Sequence, residues 1–182
     1  MIDRVVGRRV MVFAAALALV GGSLLTVDAS PASAHNWGNW HWDRTGSQIV
    51  IYNYIYGGTT AQAEAARQDG WNKIGILYNY AVNYHTDISV FDGNFGNTGW
   101  IGLASLESVS GDHILHGHAR YNTYYSASSL YIQGVYCQEI FHTYGFDHSN
   151  TGDCMGLGYF SSTTYYYGPH NNDDFYNRYR FH

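Results

Sequence analysis

Residues 137–148 read Cys-Gln-Glu-Ile-Phe-His-Thr-Tyr-Gly-Phe-Asp-His, and this run decides how the rest of the chain is read. On a helix, residues four apart share a face, so Gln138 and His142 stand one above the other. Glu139, three residues before His142, lies on the flank of the same face. Gly145 stands where a helix wants a left-handed C-terminal residue, and the sharp turn it permits lets His148 swing back to the same point. Two imidazoles, one amide and one carboxylate then converge on a volume that suits a zinc ion with an open coordination position.

Working outward, Ser128 or Ser129 caps this helix, which is expected over about residues 130–144. Upstream lie short segments rich in β-branched and aromatic residues, expected as strands over 76–79, 87–91, 100–106 and 114–121. Gly-, Asn- and Asp-rich turns separate them, among them Asp92-Gly93-Asn94. An earlier strand is expected over 48–54. The Ala-rich stretch 61–69 reads as a helix opened by Thr59 and Gln62 at capping-box spacing, with Gly70 and Gly75 bracketing its end. A short helix over about 173–179 closes the chain. A strand, a helix, several strands and a helix make an α+β order in one domain, with a twisted mixed sheet, two main helices and a short third.

The N-terminus reads differently. Arg4, Arg8 and Arg9 precede an apolar run, and Ala32-Ser33-Ala34 follows as a small-residue cleavage site, the layout of a secretory signal peptide over 1–34. Gly21-Gly22-Ser23 interrupts the run, which argues against a permanent membrane anchor. The mature chain, 35–182, is then expected outside the cell. Without the leader it carries six basic against twelve acidic residues. Such a surface gives a nucleic-acid backbone nothing to hold. The chain has 18 tyrosines, and a composition this aromatic argues against disorder. Cys137 and Cys154 are expected as a disulfide in an exported protein, with two free thiols as the alternative.

The 137–155 segment resembles the metzincin zinc-binding signature, His-Glu-x-x-His-x-x-Gly-x-x-His followed by a Met-containing turn. Glu139, His142, Gly145 and His148 fall on its Glu, second His, Gly and third His, and Asp153-Cys154-Met155 resembles the Met-turn. Residues 100–104 (Trp-Ile-Gly-Leu-Ala) resemble the edge strand above a metzincin cleft, and Arg120-Tyr121-Asn122 the strand end before the active-site helix. The resemblance is to small secreted bacterial relatives of the matrixins, in which a Cys before the helix motif pairs with one beside the Met-turn. It implies a metzincin-like (zincin) fold and a zinc-dependent endopeptidase. In it Glu139 is general base, Gln138, His142 and His148 hold zinc, and Met155 underlies the metal. It also implies a monomer that takes an extended peptide along Gly102, Leu103 and Ala104.

Gln138 stands where that signature has its first histidine. An amide oxygen is neutral and a weaker zinc ligand than imidazole, so three outcomes stay open: Gln138 ligates, another histidine or a water completes the site, or the metal is lost. The last would leave a non-catalytic secreted binding domain, with Trp37, Trp40, Trp42 and the run Tyr165-Tyr166-Tyr167 facing carbohydrate or protein. Asp147 is an alternative third ligand. His116 and His118 share a strand face, and with His113 nearby they offer a second metal clip, against the simpler reading of a solvated face. His35, freed by signal cleavage, could start a copper-binding histidine brace with His41. Tyr159 is a candidate for lining the pocket.

Overall fold

In a computed structural model, residues 37–43, 49–74, 78–80, 87–150, 152–156 and 164–179 are described. The leader over 1–34, His35 and Tyr159 lie outside them. The elements follow in the order β1 (His41–Trp42), β2 (Ile49–Tyr54), α1 (Thr60–Ile74), β3 (Tyr78–Tyr80), β4 (Ile88–Gly93), β5 (Gly102–Ser110), β6 (His113–Asn122), α2 (Ser129–His142) and α3 (Pro169–Tyr179). The fold is α+β, a small open mixed sheet with three helices among the described residues. None of these helices is long and apolar enough to cross a membrane.

β3, β2, β4 and β6 run parallel in that order, and β5 pairs antiparallel with β6. Ser110 faces His113 across a two-residue turn, Gly111-Asp112. Gly111 has φ of 64°, as the first central position of a primed hairpin turn requires. β5 covers one edge of β6 along its length. On the other edge β4 pairs with Gly117–Asn122, and β1 adds His41 and Trp42 beside His113 and Ile114. Among the described strands β5 pairs only with β6, so no described strand lies along its other edge.

Helix α2 packs on β5, β6 and α1. Ala63 and Ala66, fully buried on α1, allow the two helices to approach closely. Thr59 precedes α1, but its hydroxyl serves tertiary structure: it donates to Asp92 Oδ2 at 2.9 Å and meets the Tyr136 hydroxyl at 2.7 Å. Two helix boundaries differ from expectation. α1 runs through Gly70 to Ile74, its intrinsic penalty of about 1 kcal/mol offset by packing at a buried position. α3 begins four residues early at Pro169, because proline is preorganised for the first helical turn, where its missing N–H is not needed.

The tyrosines explain themselves in the core. Phe141, Tyr144, Phe146, Tyr167, Phe175 and Tyr179 are all buried and meet ring to ring. A buried phenol needs a partner for its O–H. Tyr167 donates to the Cys137 carbonyl at 3.0 Å and Tyr179 to the Tyr144 carbonyl at 2.6 Å.

Candidate metal centre and cleft

Helix α2 starts where Ser128, in extended conformation, accepts the Tyr131 N–H on its hydroxyl. It ends through Gly145, whose N–H donates to the His142 carbonyl at 2.9 Å and whose φ is 85°. A Cβ there would collide with the Trp40 carbonyl, so glycine is required twice over, by conformation and by space. The chain then reverses, and Phe146 brings its carbonyl 2.7 Å from His142 Nδ1. A carbonyl can only accept, so Nδ1 carries the proton and Nε2 keeps the lone pair. That is the tautomer a metal-ligating histidine needs.

The same reversal delivers His148. Its ring lies edge-on to His142, centroids 4.7 Å apart and planes at 83°. Asp147 Oδ1 sits 3.4 Å from His148 Nδ1 and accepts the His148 N–H at 2.7 Å, an orienting position beside the imidazole. Burial drives His142 down to about 4, with His148 as a second, smaller cause. Burial also lowers His148, against the opposing pull of Asp147. Both rings are therefore neutral at physiological pH, the state in which imidazole binds a cation.

Gln138 stands one turn before His142 and donates its amide N–H to the Gly156 carbonyl at 3.3 Å. That bond anchors the nitrogen end and leaves Oε1 as the end with ligating chemistry. Gly156 belongs to the turn around Met155, which is 1% exposed. Asp153 Oδ1 accepts the Met155 N–H at 2.9 Å, the Ser149 N–H donates to the Met155 carbonyl at 2.8 Å, and the Cys154 N–H donates to the Tyr166 carbonyl at 3.0 Å. Cys137 and Cys154 form a disulfide with a sequence separation of 17, tying α2 to this turn.

Glu139 is 6% exposed. Its carboxylate lies against Gly102 and accepts a hydrogen bond from the Ala104 backbone. Burial pushes its pKa up to about 8, with the Ala104 bond pulling the other way. Gly102, Leu103 and Ala104 open β5 opposite Tyr121, Arg120 and Ala119. The start of β5 and the Glu139 flank of α2 thus lie against each other. Asn122, fully buried, holds the approach to that edge. It donates to the Gly96 carbonyl and Thr98 Oγ1 at 2.9 and 3.0 Å and accepts from the Phe95 and Tyr124 N–H groups at 3.0 and 3.1 Å.

Other sequence expectations resolve less favourably. His116 and His118 do share a face, Nε2 to Nε2 at 3.0 Å. Arg120, however, donates to His118 Nδ1 at 2.5 Å and binds Glu107 at 2.9 Å. A guanidinium in that position opposes a second cation, and His113 lies elsewhere, beside His41. This face is a half-buried network rather than a clip or a solvated surface. Trp42 and Tyr167 are buried, so neither faces a ligand. Trp42 Nε1 instead donates to the Thr143 carbonyl at 2.9 Å. Two features escaped the sequence reading. The Trp37 ring packs 5.5 Å from that of His142, and His41, Asp112 and His113 cluster. Both join residues far apart in sequence. No protein-family model matches this chain, and no curated protein matches it.

Proposed function

We propose that this chain is a secreted, metzincin-type zinc endopeptidase acting as a monomer on extended peptides. The observation that carries the reading is a buried carboxylate, Glu139, on the helix that also bears His142, whose neutral imidazole stands edge-on to that of His148 with ring centroids 4.7 Å apart. Gln138 Oε1 and the Nε2 atoms of His142 and His148 would hold the metal. The donor set fits, because the opposite end of the Gln138 amide and Nδ1 of His142 are already committed to carbonyls. Zinc bound there supplies Lewis acidity, polarising a peptide carbonyl and acidifying the attacking water.

Glu139 then takes the proton from that water and returns it to the leaving amine nitrogen. Burial raises its proton affinity, the direction a base working near neutral pH requires. The peptide adds along Gly102–Ala104 as an extra strand. The Cys137–Cys154 bridge suits an oxidising compartment and supports an extracellular location.

Gln138 itself favours a second reading, a non-catalytic binding domain on the same scaffold, since a neutral amide holds zinc weakly. Glu139→Ala separates the two. Purified mature protein and the variant are analysed for zinc, and both are assayed on casein with and without chelator. The enzyme reading expects bound zinc in both proteins, with chelator-sensitive cleavage in the parent alone. Cleavage undiminished in the variant refutes Glu139 as base, and a zinc-free, inactive parent favours the binding domain.

A further inference from the structure

A second cluster of ligand-bearing side chains forms where β1 meets the β5–β6 turn. One potential donor atom each from His41, Asp112 and His113 lies within 4.8 Å of the others. We propose that these three residues hold a second divalent cation, zinc by the chemistry of the donors, which fastens residues 37–43 to the β5–β6 turn. None of them belongs to the Gln138–His142–His148 set.

The backbone positions the donors before any metal arrives. His41 pairs with His113 in parallel register, the His41 N–H donates to the Asp112 carbonyl at 3.1 Å, and the turn at Gly111 fixes where Asp112 stands. The imidazole rings are edge-on at 4.9 Å and 85°, much like the pair at His142 and His148. Two of the three ligands, His41 and Asp112, also have an orienting hydrogen bond, as metal ligands usually do. His41 Nδ1 lies 2.8 Å from the Asn39 carbonyl, so Nδ1 bears the proton and Nε2 the lone pair. Asp112 Oδ2 accepts from Asn39 Nδ2 at 2.9 Å, and Asp43 Oδ2 lies 4.0 Å from His113 Nδ1.

The donor chemistry selects the ion. Calcium and magnesium want six or more oxygens, whereas two imidazoles and one carboxylate are the nitrogen-rich set that zinc takes. Donors on tetrahedral zinc stand ~3.3 Å apart, so the side chains need close by no more than about 1.5 Å on binding. His41 is buried while Asp112 and His113 are half-exposed, which leaves the fourth position to water. One group opposes the ion: Arg178, which donates to the Trp40 carbonyl and feels the Asp112 charge. It weakens the site without blocking it, since its hydrogen bond holds it at the backbone of the strap formed by residues 37–43. The consequence reaches the cleft. The strap carries Trp37, whose N–H donates to the Gly145 carbonyl at 2.9 Å and whose ring packs on His142.

The test uses the mature chain with His142→Ala and His148→Ala, which removes the other candidate centre. Apoprotein is dialysed against zinc chloride and analysed for metal, and zinc affinity is titrated calorimetrically. One zinc per chain is expected, and adding Asp112→Asn or His113→Asn should weaken binding at least tenfold with the circular dichroism spectrum unchanged. No zinc uptake in the double-alanine protein, or unaltered affinity in both added variants, overturns the proposal. Should the double-alanine protein fail to fold, Asp112→Asn alone in the parent decides it. Loss of one equivalent of zinc supports the clip, and unchanged stoichiometry overturns it.

Discussion

Replacing Gly102 with alanine tests the contact between β5 and the Glu139 face of α2. A Cβ at that position would stand 2.5 Å from Val135 Cγ1 and 2.9 Å from Glu139 Cδ, and closer still to Glu139 Oε1. Carbon contacts settle at about 3.5–4.0 Å, so one wall must yield by ~1 Å. Overpacking of this kind costs about 1–3 kcal/mol, and each kcal/mol lowers the melting temperature of a chain this size by roughly 2–4 °C. The effect on rate should be larger than the effect on stability. Displacing a reacting group by ~1 Å costs on the order of 100-fold, so kcat/KM on a fluorogenic peptide should fall by about two orders of magnitude. Val135→Ala added to Gly102→Ala should recover part of the stability and little of the rate, because the Glu139 oxygen remains in the way. Ser108→Ala, exposed further along β5, should change neither. A Gly102→Ala protein with parental melting temperature and kcat/KM would show that strand and helix do not form the working cleft.

Gln138→His replaces a neutral oxygen donor with imidazole and should tighten zinc at least tenfold in competition with a chromophoric chelator; equal affinity would remove position 138 from the ligand set. Asn122→Ala removes the acceptor for the part-buried Phe95 and Tyr124 N–H groups and should cost about 1–2 kcal/mol in urea unfolding, with faster proteolysis between residues 94 and 100. Metal-free protein should lose stability in acid. Burial and the neighbouring Arg120 hold His118 near 4 in the folded state against 6.5 unfolded. As pH falls below 6.5 the unfolded chain binds a proton that the native state refuses until about 4. That loss amounts to about 1–2 kcal/mol after allowance for partial solvent exposure. Glu107 is lowered overall because bonds from Ser105 and Arg120 outweigh its burial, so its contribution is lost as pH drops further, below the unfolded carboxylate value. His118→Gln should flatten the urea midpoint between pH 6.5 and 4, leaving the share due to His142, also held near 4. An unchanged slope would refute the assignment.

What was legible in the sequence was what depends on local spacing. The run from Gln138 to His148 encodes a helix face, a glycine stop and a reversal, and the structure delivers all three because each is decided within about a turn of chain. β4, β5 and β6 lie within a few residues of their expected bounds for the same reason. β1 was illegible, since two residues have no periodicity and become a strand only by pairing with β6. The start of α3 at Pro169 was not read because the polar run His170-Asn171-Asn172 after it lacks apolar spacing. The His41 cluster depends on topology, with some seventy residues between His41 and Asp112, and no spacing rule spans that distance.

The segment of residues 37–43, with Trp37, Trp40 and Trp42, shows how a stretch with no motif can still govern a site. The last carbonyls of a helix lack partners within it, and those around the end of α2 face the core, where water cannot serve them. Trp42 Nε1 supplies the Thr143 carbonyl, the Tyr179 hydroxyl the Tyr144 carbonyl, and the Trp37 N–H the Gly145 carbonyl. Indole and phenol donors reach across apolar packing without bringing a charge into it, which a lysine or arginine could not do as cheaply. A chain with 18 tyrosines and a single lysine is thus built to fix the end of the helix that carries His142. Loosening the strap should therefore disturb His142 before it disturbs the sheet.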